Sequence, residues 1–286
     1  MRNEYNFTKG IRGKYLGNVA HRVLDTSGNQ TCRPPSVCIV PGNHDLVERV
    51  AARTSEIAEQ LTERYPVLYH MGWYGSWPSI QKLGLLSTSA LLDLFQIPDP
   101  QRTDLLTKQR RTSVPISHEV YGSAVLRDQK PLSEKNLARC LTDCDPATWY
   151  KTLNERVFFW LNRDRLLKLM SAAEYVEKPH TVIEVETAAF VSQYVNQIEL
   201  SHINTGNTRP YPHRRGRSTF RKIADYPYAE RLHLGDYSTV VELTVLGGVR
   251  DIGKYVRCVE HAMITKGEYQ VINRLFKPDA KHRVRQ

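Results

Sequence analysis

Residues 67–86 read VLYHMGWYGSWPSIQKLGLL and carry the signals for a strand, a turn and a helix in close succession. The apolar and aromatic residues of VLYH (67–70) predict a strand that ends near His70. Ser76 precedes a segment with Pro78 in its first turn and Gly84 beyond its last apolar residue, which is the pattern of a short helix. A histidine here is most often a buried core residue, and the alternative is a binding site between the strand and the helix.

The rest of the chain alternates short strands with short helices, which favours an α+β domain. Apolar residues at helical spacing predict a helix over 45–65, with Asp45 able to cap its start. Residues 97–135, with KQRR at 108–111, are polar and predict exposed loops or loosely packed helices. Three strands are predicted from the segments RVFFW (156–160), TVIEVET (181–187) and STVVELTVLGGVRDI (238–252). We expect an arm and helix of unknown role over 1–65, followed by one domain over 66–286.

The chain is strongly basic, with 40 Lys and Arg residues against 30 Asp and Glu residues and a net charge of +10. A basic balance favours phosphate-rich partners such as DNA or RNA, and the alternative is a basic surface that serves solubility. No apolar run reaches the roughly 18 residues of a membrane span. The first residues lack the apolar core of a secretory signal. We therefore expect a cytoplasmic location and no membrane partner.

Two patterns near the N-terminus resemble incomplete metal sites. Cys32 and Cys38 have His21 and His44 nearby, but their spacing matches no common zinc pattern. The sequence GNHD (42–45) is used by calcineurin-like metallophosphoesterases, whose further ligands for a two-metal site are missing from this chain. An Asn- and Asp-rich turn before a helix is the alternative for GNHD. We expect no metal site.

A glutamate stands in the middle of the most regular strand pattern. In TVVELTV (239–245), Val241 and Val245 share one face of a strand, and Glu242 lies on the other. A carboxylate among β-branched residues is costly to bury unless it is paired. Glu242 therefore either faces solvent on an edge strand or lines a cleft. Arg163, just after the RVFFW strand, stands where a cation can meet an anionic ligand.

Taken in order, these segments resemble the DarT-type ADP-ribosyltransferases. In that family a strand ending in Tyr-His leads to a helix that starts with Pro-Ser-Ile and to a Gly-Leu pair, which matches Tyr69-His70, Pro78-Ser79-Ile80 and Gly84-Leu85. An aromatic strand then leads to an arginine, and VFFWLNR puts Arg163 in that place. The family's glutamate strand is similar to VVELTVLGGVRDI, with Glu242 as the glutamate.

The chain departs from the family at two places that bear on the site. Ser76 stands where the family has asparagine, and Trp73 replaces a histidine that commonly follows Tyr-His. The residues after Arg163 also differ from the family's Arg-Ser-Pro-Met. The resemblance covers about 67–255 and leaves the first 65 residues unmatched.

The resemblance implies an ADP-ribosyltransferase-like fold over 66–286, with two packed, short-stranded, mixed or antiparallel sheets and flanking helices. It implies an NAD-dependent transferase of the glycosyltransferase class, with NAD consumed as a co-substrate. Glu242 would supply the carboxylate near the developing sugar cation or act as general base. His70 would hydrogen-bond a ribose hydroxyl, and Arg163 would orient the dinucleotide. No G-x-G-x-x-G loop is present, which argues against a dehydrogenase.

The same resemblance yields wider sets of candidate residues. The residues expected to bind NAD are Tyr69, His70, Tyr74, Ser76, Ser87, Thr88, Phe159 and Arg163. The loop SHINTGNTRPYPHRRGRSTF (201–220) lies where such transferases commonly recognise their target, and its basic residues expected to bind the target are Arg209, Arg214, Arg215 and Arg217.

We expect a DNA or RNA acceptor and a role as a toxin or phage-defence effector, with an antitoxin protein as a further partner. Two alternatives stay open. One is an RNA 2′-phosphotransferase, whose related fold also consumes NAD. The other is a catalytically inactive, basic nucleic-acid-binding module on the same fold.

Overall fold

A computed structural model describes residues 43–277 together with two short strands near the N-terminus. Contacts between Cα atoms divide the chain into the units Met1–Glu48 and Arg49–Gln286. The first unit contains, in its described part, an antiparallel pair of two-residue strands and the start of a helix. The second unit contains all the remaining elements.

The residues considered as zinc ligands, Cys32, Cys38 and His21, lie outside the described part of the chain, as does the side chain of His44. Asp45 lies in the first turn of a helix that begins at Asn43. It is therefore inside the helix and not at the capping position that the sequence suggested. No helix in the described part of the chain is both long and apolar enough to cross a membrane.

The described strands, in chain order, are β1 (Val23–Leu24), β2 (Gln30–Thr31), β3 (Val67–Trp73), β4 (Leu85–Leu86), β5 (Val114–His118), β6 (Gly122–Leu126), β7 (Arg156–Trp160), β8 (His180–Glu186), β9 (Ile198–Ser201), β10 (Arg221–Lys222), β11 (Glu242–Leu246), β12 (Gly248–Val249), β13 (Val256–Thr265) and β14 (Glu268–Phe276). The described α-helices are α1 (Asn43–Arg64), α2 (Trp77–Leu83), α3 (Thr88–Leu94), α4 (Gln101–Thr107), α5 (Glu134–Cys140), α6 (Pro146–Asn154), α7 (Arg163–Met170), α8 (Thr187–Tyr194), α9 (Tyr228–Arg231) and α10 (Asp236–Thr239).

Eight of these strands form the main sheet, in the order β10-β9-β11-β7-β3-β8-β13-β14. Every neighbouring pair in it is antiparallel. The hairpin β5–β6 and the pair β4–β12 form separate two-stranded sheets. The predicted α+β class is confirmed.

The main sheet is almost divided at its centre. β3 and β7 share one residue pair, Tyr69 with Trp160. β3 pairs with β8 along its full length, and β7 pairs with β11 along its full length. Two half-sheets, β10-β9-β11-β7 and β3-β8-β13-β14, therefore meet at one point and part beyond it.

The largest apolar core packs helices α1 and α8 against both half-sheets. It includes Leu61 of α1, Leu68 of β3, Phe159 of β7, Phe190 of α8 and Leu243 of β11, all fully buried. Because side chains alternate along a strand, the residues between these core positions face the other side of the sheet.

Residues 97–135 are better packed than the sequence suggested. Helix α4 and the hairpin β5–β6 enclose a small core that includes Leu92, Phe95, Leu106, Ile116 and Leu126, each buried. Three of these anchors, Leu106, Ile116 and Leu126, lie within the segment, and its polar composition concealed them. The prediction of exposed or loosely packed structure was wrong here.

Helix α2 ends at the residue that the sequence indicated. Gly84 adopts a positive φ of 92°, and its N–H donates to the carbonyl of Ile80 at 2.8 Å. A Cβ at Gly84 would lie 2.5 Å from the Cα of Arg250 and 2.9 Å from the carbonyl oxygen of Val249. Both the backbone conformation and the close approach therefore require glycine.

We expect Gly84→Ala to lower the free energy of unfolding by about 2 kcal/mol or more, because strain at a positive φ adds to a backbone clash. Denaturant unfolding of the full chain measures this. Gly253→Ala is the matched control, since a Cβ there meets no atom of the described residues within 4 Å. Equal stability losses in the two variants would contradict the assignment.

Candidate functional site

A cavity of about 2030 Å³ opens where the two half-sheets part. His70, Gly72 and Trp73 line it from β3, and Arg156 and Phe158 line it from β7. Ligand pockets commonly measure about 300–1,000 Å³, so this volume can hold more than one small molecule. The cavity lies where two strands leave backbone groups without a sheet partner.

The lining of the cavity is predominantly basic. Among the described residues that line it are nine Lys and Arg side chains and three carboxylates, those of Asp128, Glu174 and Glu242. A concave surface of one sign concentrates ligands of the opposite charge. The cavity is therefore suited to a ligand that carries phosphate groups.

The hydrogen bond of His70 defines its tautomer. Nδ1 of His70 lies 2.9 Å from the carbonyl oxygen of Phe158, and a carbonyl oxygen only accepts. Nδ1 therefore carries the proton and donates it, which leaves Nε2 as an acceptor. Burial lowers the pKa of His70 to about 4, so the ring is neutral at neutral pH.

The Glu242 carboxylate is buried and held by one residue. The backbone N–H of Thr205 lies 3.2 Å from both carboxylate oxygens, and its hydroxyl donates to one of them at 2.6 Å. Burial raises the pKa of Glu242 to about 7, against the opposing effects of Thr205 and of the cations Arg215 and Arg165. A carboxylate poised near neutral pH can act as a base.

The sheet register gives the separation between the strands that carry Glu242 and His70. Glu242 is paired with Trp160, and Trp160 is paired with Tyr69, the residue before His70. Adjacent strands lie about 4.8 Å apart, so the Cα atoms of Glu242 and Tyr69 are separated by roughly 10 Å. One dinucleotide can span that separation.

The cavity contains some of the residues expected from the sequence and not others. Those that line it are His70, Tyr74, Ser76, Ser87, Thr88, Arg209, Arg214 and Glu242. Those that do not line it are Tyr69, Phe159, Arg163, Arg215 and Arg217. Each of these five departures has a local cause.

Arg163 is replaced at the cavity by Arg165. Helix α7 begins at Arg163, and two residues along an α-helix correspond to a rotation of about 200°. Arg163 consequently stacks over the ring of Tyr269, whereas the Arg165 guanidinium lies 3.6 Å from the ring centre of Tyr237 and lines the cavity. The sequence pattern selected Arg163, but the arginine of α7 that lines the cavity is Arg165.

Tyr69 and Phe159 do not line the cavity because each packs into an apolar core. Tyr69 packs with Trp160 in a core on the face opposite His70, where burial and the charge of Glu184 raise its pKa. Phe159 is fully buried against Phe190, with ring centres 5.2 Å apart. Its neighbours along β7 face the cavity instead.

Arg215 and Arg217 do not present their side chains to a target in the cavity. Arg215 is 2% exposed and donates to three backbone carbonyls of its own loop. Arg217 is exposed, and its backbone N–H donates to Asp143 at 2.9 Å. Of the four arginines predicted to bind a target, Arg209 and Arg214 line the cavity.

Of the predicted hydroxyl residues, Ser87 and Thr88 accept hydrogen bonds from other described residues and Ser76 does not. Ser87 Oγ caps α3 by accepting from the N–H of Ala90 at 3.2 Å. Thr88 Oγ1 accepts from Arg110 at 3.4 Å. Ser76 Oγ is buried, does not cap α2 and has no hydrogen-bond partner among the described residues.

Sequence reasoning missed seven of the nine Lys and Arg residues that line the cavity, among them Arg165 and Arg127. The Nε of Arg165 is buried and without a hydrogen-bond partner in the described part of the chain. Arg127 donates through Nη1 to the carbonyl of Gly72 at 2.9 Å and lies near His180 Nδ1. A helical projection of α7 could have indicated Arg165, but no sequence signal indicates Arg127.

Tyr74 lines the cavity and packs against the ring of His261, which does not line it. The Tyr74 ring lies 4.3 Å from the ring of His261, whose Nε2 accepts from the N–H of Gly75 at 3.3 Å.

No group of three or more His, Cys, Asp or Glu side chains able to hold a metal ion occurs within the described residues.

The sequence model of DUF7002, described as a family of unknown function, matches residues 66–256, about two thirds of the chain. The chain belongs to DUF7002. No curated protein and no solved structure matches it. Every cavity residue from His70 to Glu242 lies within the DUF7002 match.

The raised pKa of Glu242 predicts a pH-dependent effect of neutralising it. Between its ordinary value of 4.5 and about 7, the folded state holds a proton that the unfolded state has lost, so stability falls as pH rises through this window. We expect Glu242→Gln to raise the free energy of unfolding at pH 8 by at most on the order of 3 kcal/mol, and so to raise Tm. At pH 5 the substitution should have little effect. Thermal unfolding at both pH values measures this. An equal change at both would contradict a buried carboxylate that titrates near 7.

Proposed function

We propose that the protein is an NAD-dependent ADP-ribosyltransferase acting on nucleic acid. The observation that carries the proposal is that His70 and Glu242 line one basic cavity at the point where two half-sheets part. The resemblance of their surrounding segments to DarT-type enzymes supports the same conclusion. We further propose a cytoplasmic enzyme, consistent with a nucleic-acid acceptor.

We also propose that the domain has an ADP-ribosyltransferase-like fold. The two half-sheets correspond to the two sheets that this fold packs around its NAD site. Their hydrogen bonding through Tyr69 and Trp160 makes one continuous sheet, but the strands beyond that pair diverge. A cavity between diverging strands supports this assignment.

The donors of the cavity match the chemistry of a dinucleotide. The guanidinium groups of Arg165 and Arg127 each donate to a backbone carbonyl, of Tyr237 and Gly72, and their remaining donors can meet pyrophosphate oxygens. Ser76 Oγ and Arg165 Nε are buried and have no hydrogen-bond partner among the described residues, which is a cost to the folded protein. In this proposal Arg165 takes the orienting role that the sequence assigned to Arg163.

The reaction breaks the bond between the nicotinamide nitrogen and the ribose C1′. The bonding electrons leave with nicotinamide and neutralise its ring charge, and the sugar develops positive charge. The Glu242 carboxylate stabilises this charge and accepts the proton of the incoming nucleophile as its bond to C1′ forms. Glu242 performs both roles only when ionised, so activity should rise with pH through about 7.

His70 contributes a fixed acceptor to this site. Its Nδ1–H is committed to the carbonyl of Phe158, so Nε2 can accept from a ribose hydroxyl. Because the ring is neutral, it adds no positive charge next to the developing sugar cation. His70 thus orients the sugar without opposing the charge that forms.

The acceptor proposal rests on the size and rim of the cavity. Its volume is about twice the upper range for one small ligand, which leaves room for part of a second substrate. Arg214 and Tyr211 line it, and Tyr211 is 87% exposed. An exposed ring beside cations is the combination that binds single-stranded nucleic acid.

We expect the purified chain to transfer label from NAD to single-stranded DNA or RNA. Glu242→Gln should lower kcat by about 10²-fold or more, because a general base is lost. His70→Asn should lower kcat/KM by about 10-fold, since asparagine can still donate to Phe158 but lacks the Nε2 acceptor. Circular dichroism of each variant checks that it folds.

Other outcomes of this assay contradict the proposal and distinguish its rivals. Transfer of a 2′-phosphate from RNA to NAD would identify a 2′-phosphotransferase. Nucleic-acid binding without NAD binding or labelling would identify an inactive binding module. Labelling of protein acceptors alone would overturn the nucleic-acid part of the proposal.

Two arginines on one helix give a matched test of NAD binding. Arg165→Ala should weaken NAD binding by about 10- to 100-fold, because a charge-assisted hydrogen bond is lost from the cavity. Arg163→Ala should leave binding unchanged, because its side chain stacks on Tyr269 outside the cavity. Calorimetric titration of NAD measures both. Weaker NAD binding in Arg163→Ala than in Arg165→Ala would contradict the assignment and indicate that Arg163 contacts NAD.

A further inference from the structure

The loop between β9 and β10 folds back onto Glu242. Thr205 in this loop is fully buried and makes all the direct hydrogen bonds that the described residues supply to the Glu242 carboxylate. The hydroxyl of Thr205 supplies the shortest of them, at 2.6 Å. The position of this carboxylate therefore depends on a single residue of the loop.

The Arg215 side chain, near the C-terminal end of that loop, hydrogen-bonds to three of its backbone carbonyls. Its Nη1 donates to the carbonyl of Thr205 at 2.8 Å, and its Nη2 donates to the carbonyl of Asn207 at 2.9 Å. Its Nε donates to the carbonyl of His213 at 3.1 Å. The guanidinium also lies over the ring of Trp149, which belongs to a separate buried core.

The backbone of Arg215 is anchored as firmly as its side chain. Its N–H donates to the carbonyl of Cys140 at 2.9 Å, and its carbonyl accepts from the N–H of Thr142 at 3.0 Å. Hydrogen bonds therefore hold both the backbone and the side chain of Arg215, which connects the end of α5 to Thr205. Such an arrangement supports a reacting group by fixing the shell around it.

We propose that Thr205 and Arg215 are positioning residues, with Arg215 holding the loop so that Thr205 fixes the orientation of the Glu242 carboxylate. This inference rests on the proposed function for the role of Glu242 in catalysis, but the contacts themselves do not. It gives the arginine-rich loop a second task besides binding a target.

The electrostatic consequence follows from the donors. Hydrogen bonds to a carboxylate favour its ionised form and oppose the effect of burial. The charged groups that act on Glu242 are Arg215 from the same loop and Arg165 from α7. Loss of the Thr205 hydroxyl should therefore raise the pKa of Glu242 above about 7 and delay its ionisation to higher pH.

Thr205→Val tests the proposal, because valine keeps the shape and removes the hydroxyl. Glutamate labelled with ¹³C at the carboxyl carbon, with the Glu242 signal assigned by its loss in Glu242→Gln, reports the titration in the full chain without reference to activity. We expect the midpoint to rise by about one pH unit or more in Thr205→Val. Thr205→Ser, which keeps the hydroxyl, should have the same Glu242 midpoint as the unsubstituted protein.

Thr208→Val is the matched control in the same loop. Thr208 is equally buried, but its hydroxyl accepts from the N–H of Ser133 at 2.7 Å. The Glu242 midpoint should not move in this variant. Arg215→Lys should raise the midpoint as Thr205→Val does, because one ammonium cannot replace three directed donors.

The outcomes separate this inference from the proposed function. A raised midpoint in Thr205→Val with a normal midpoint in Thr208→Val supports the positioning role even if no transferase activity is found. An unchanged midpoint in Thr205→Val overturns it even if Glu242 proves essential for transfer. Where activity exists, its acid limb should move with the titration midpoint in each variant.

Discussion

Beyond the Tyr69–Trp160 pair, β3 and β7 cease to be hydrogen-bonding partners, while each keeps its partner on the other side. Backbone groups at such an opening must find new partners, and the His70 ring supplies one to Phe158. The cavity lies at this opening, and Glu242 lies on β11, two strands away from β3. The cavity, the orientation of His70 and the proposed chemistry all depend on this separation of two strands.

Glu242 shows how much surrounding structure one buried carboxylate requires. Burial favours its neutral form, and Thr205, Arg215 and Arg165 each oppose that effect. Their balance leaves a group that titrates near neutral pH, where a base is most useful. The surrounding residues come from a loop and a helix that are distant in sequence, so the balance exists only in the folded chain.

The basic composition serves two physical purposes that a net charge cannot distinguish. Arg215 and Arg110 are almost fully buried and donate to backbone carbonyls, which makes them part of the framework, although Arg110 also lines the cavity. Arg165, Arg127 and Arg214 line the cavity and are placed to meet a ligand. A guanidinium suits both uses because its five donors have fixed directions.

Much of the local structure could be predicted from the sequence. Strand and helix periodicities indicated β3, β7 and β8, and the helix ending at Gly84 was confirmed. The ordered motifs also selected His70 and Glu242, both of which line the cavity. Phe159 packs against Phe190 of α8, a contact between distant segments that no local pattern indicates. Likewise, the choice between Arg163 and Arg165 depends on where α7 begins.

What the sequence alone determined is the set of local elements and the order of the candidate motifs, because periods of 2 and 3.6 residues and turn residues act over short distances. Only the tertiary structure decided that β3 and β7 part after one pair. It also decided that Thr205 reaches Glu242, 37 residues further along the chain. Strand register and loop closure depend on packing between distant segments, and no local pattern in the chain specifies them.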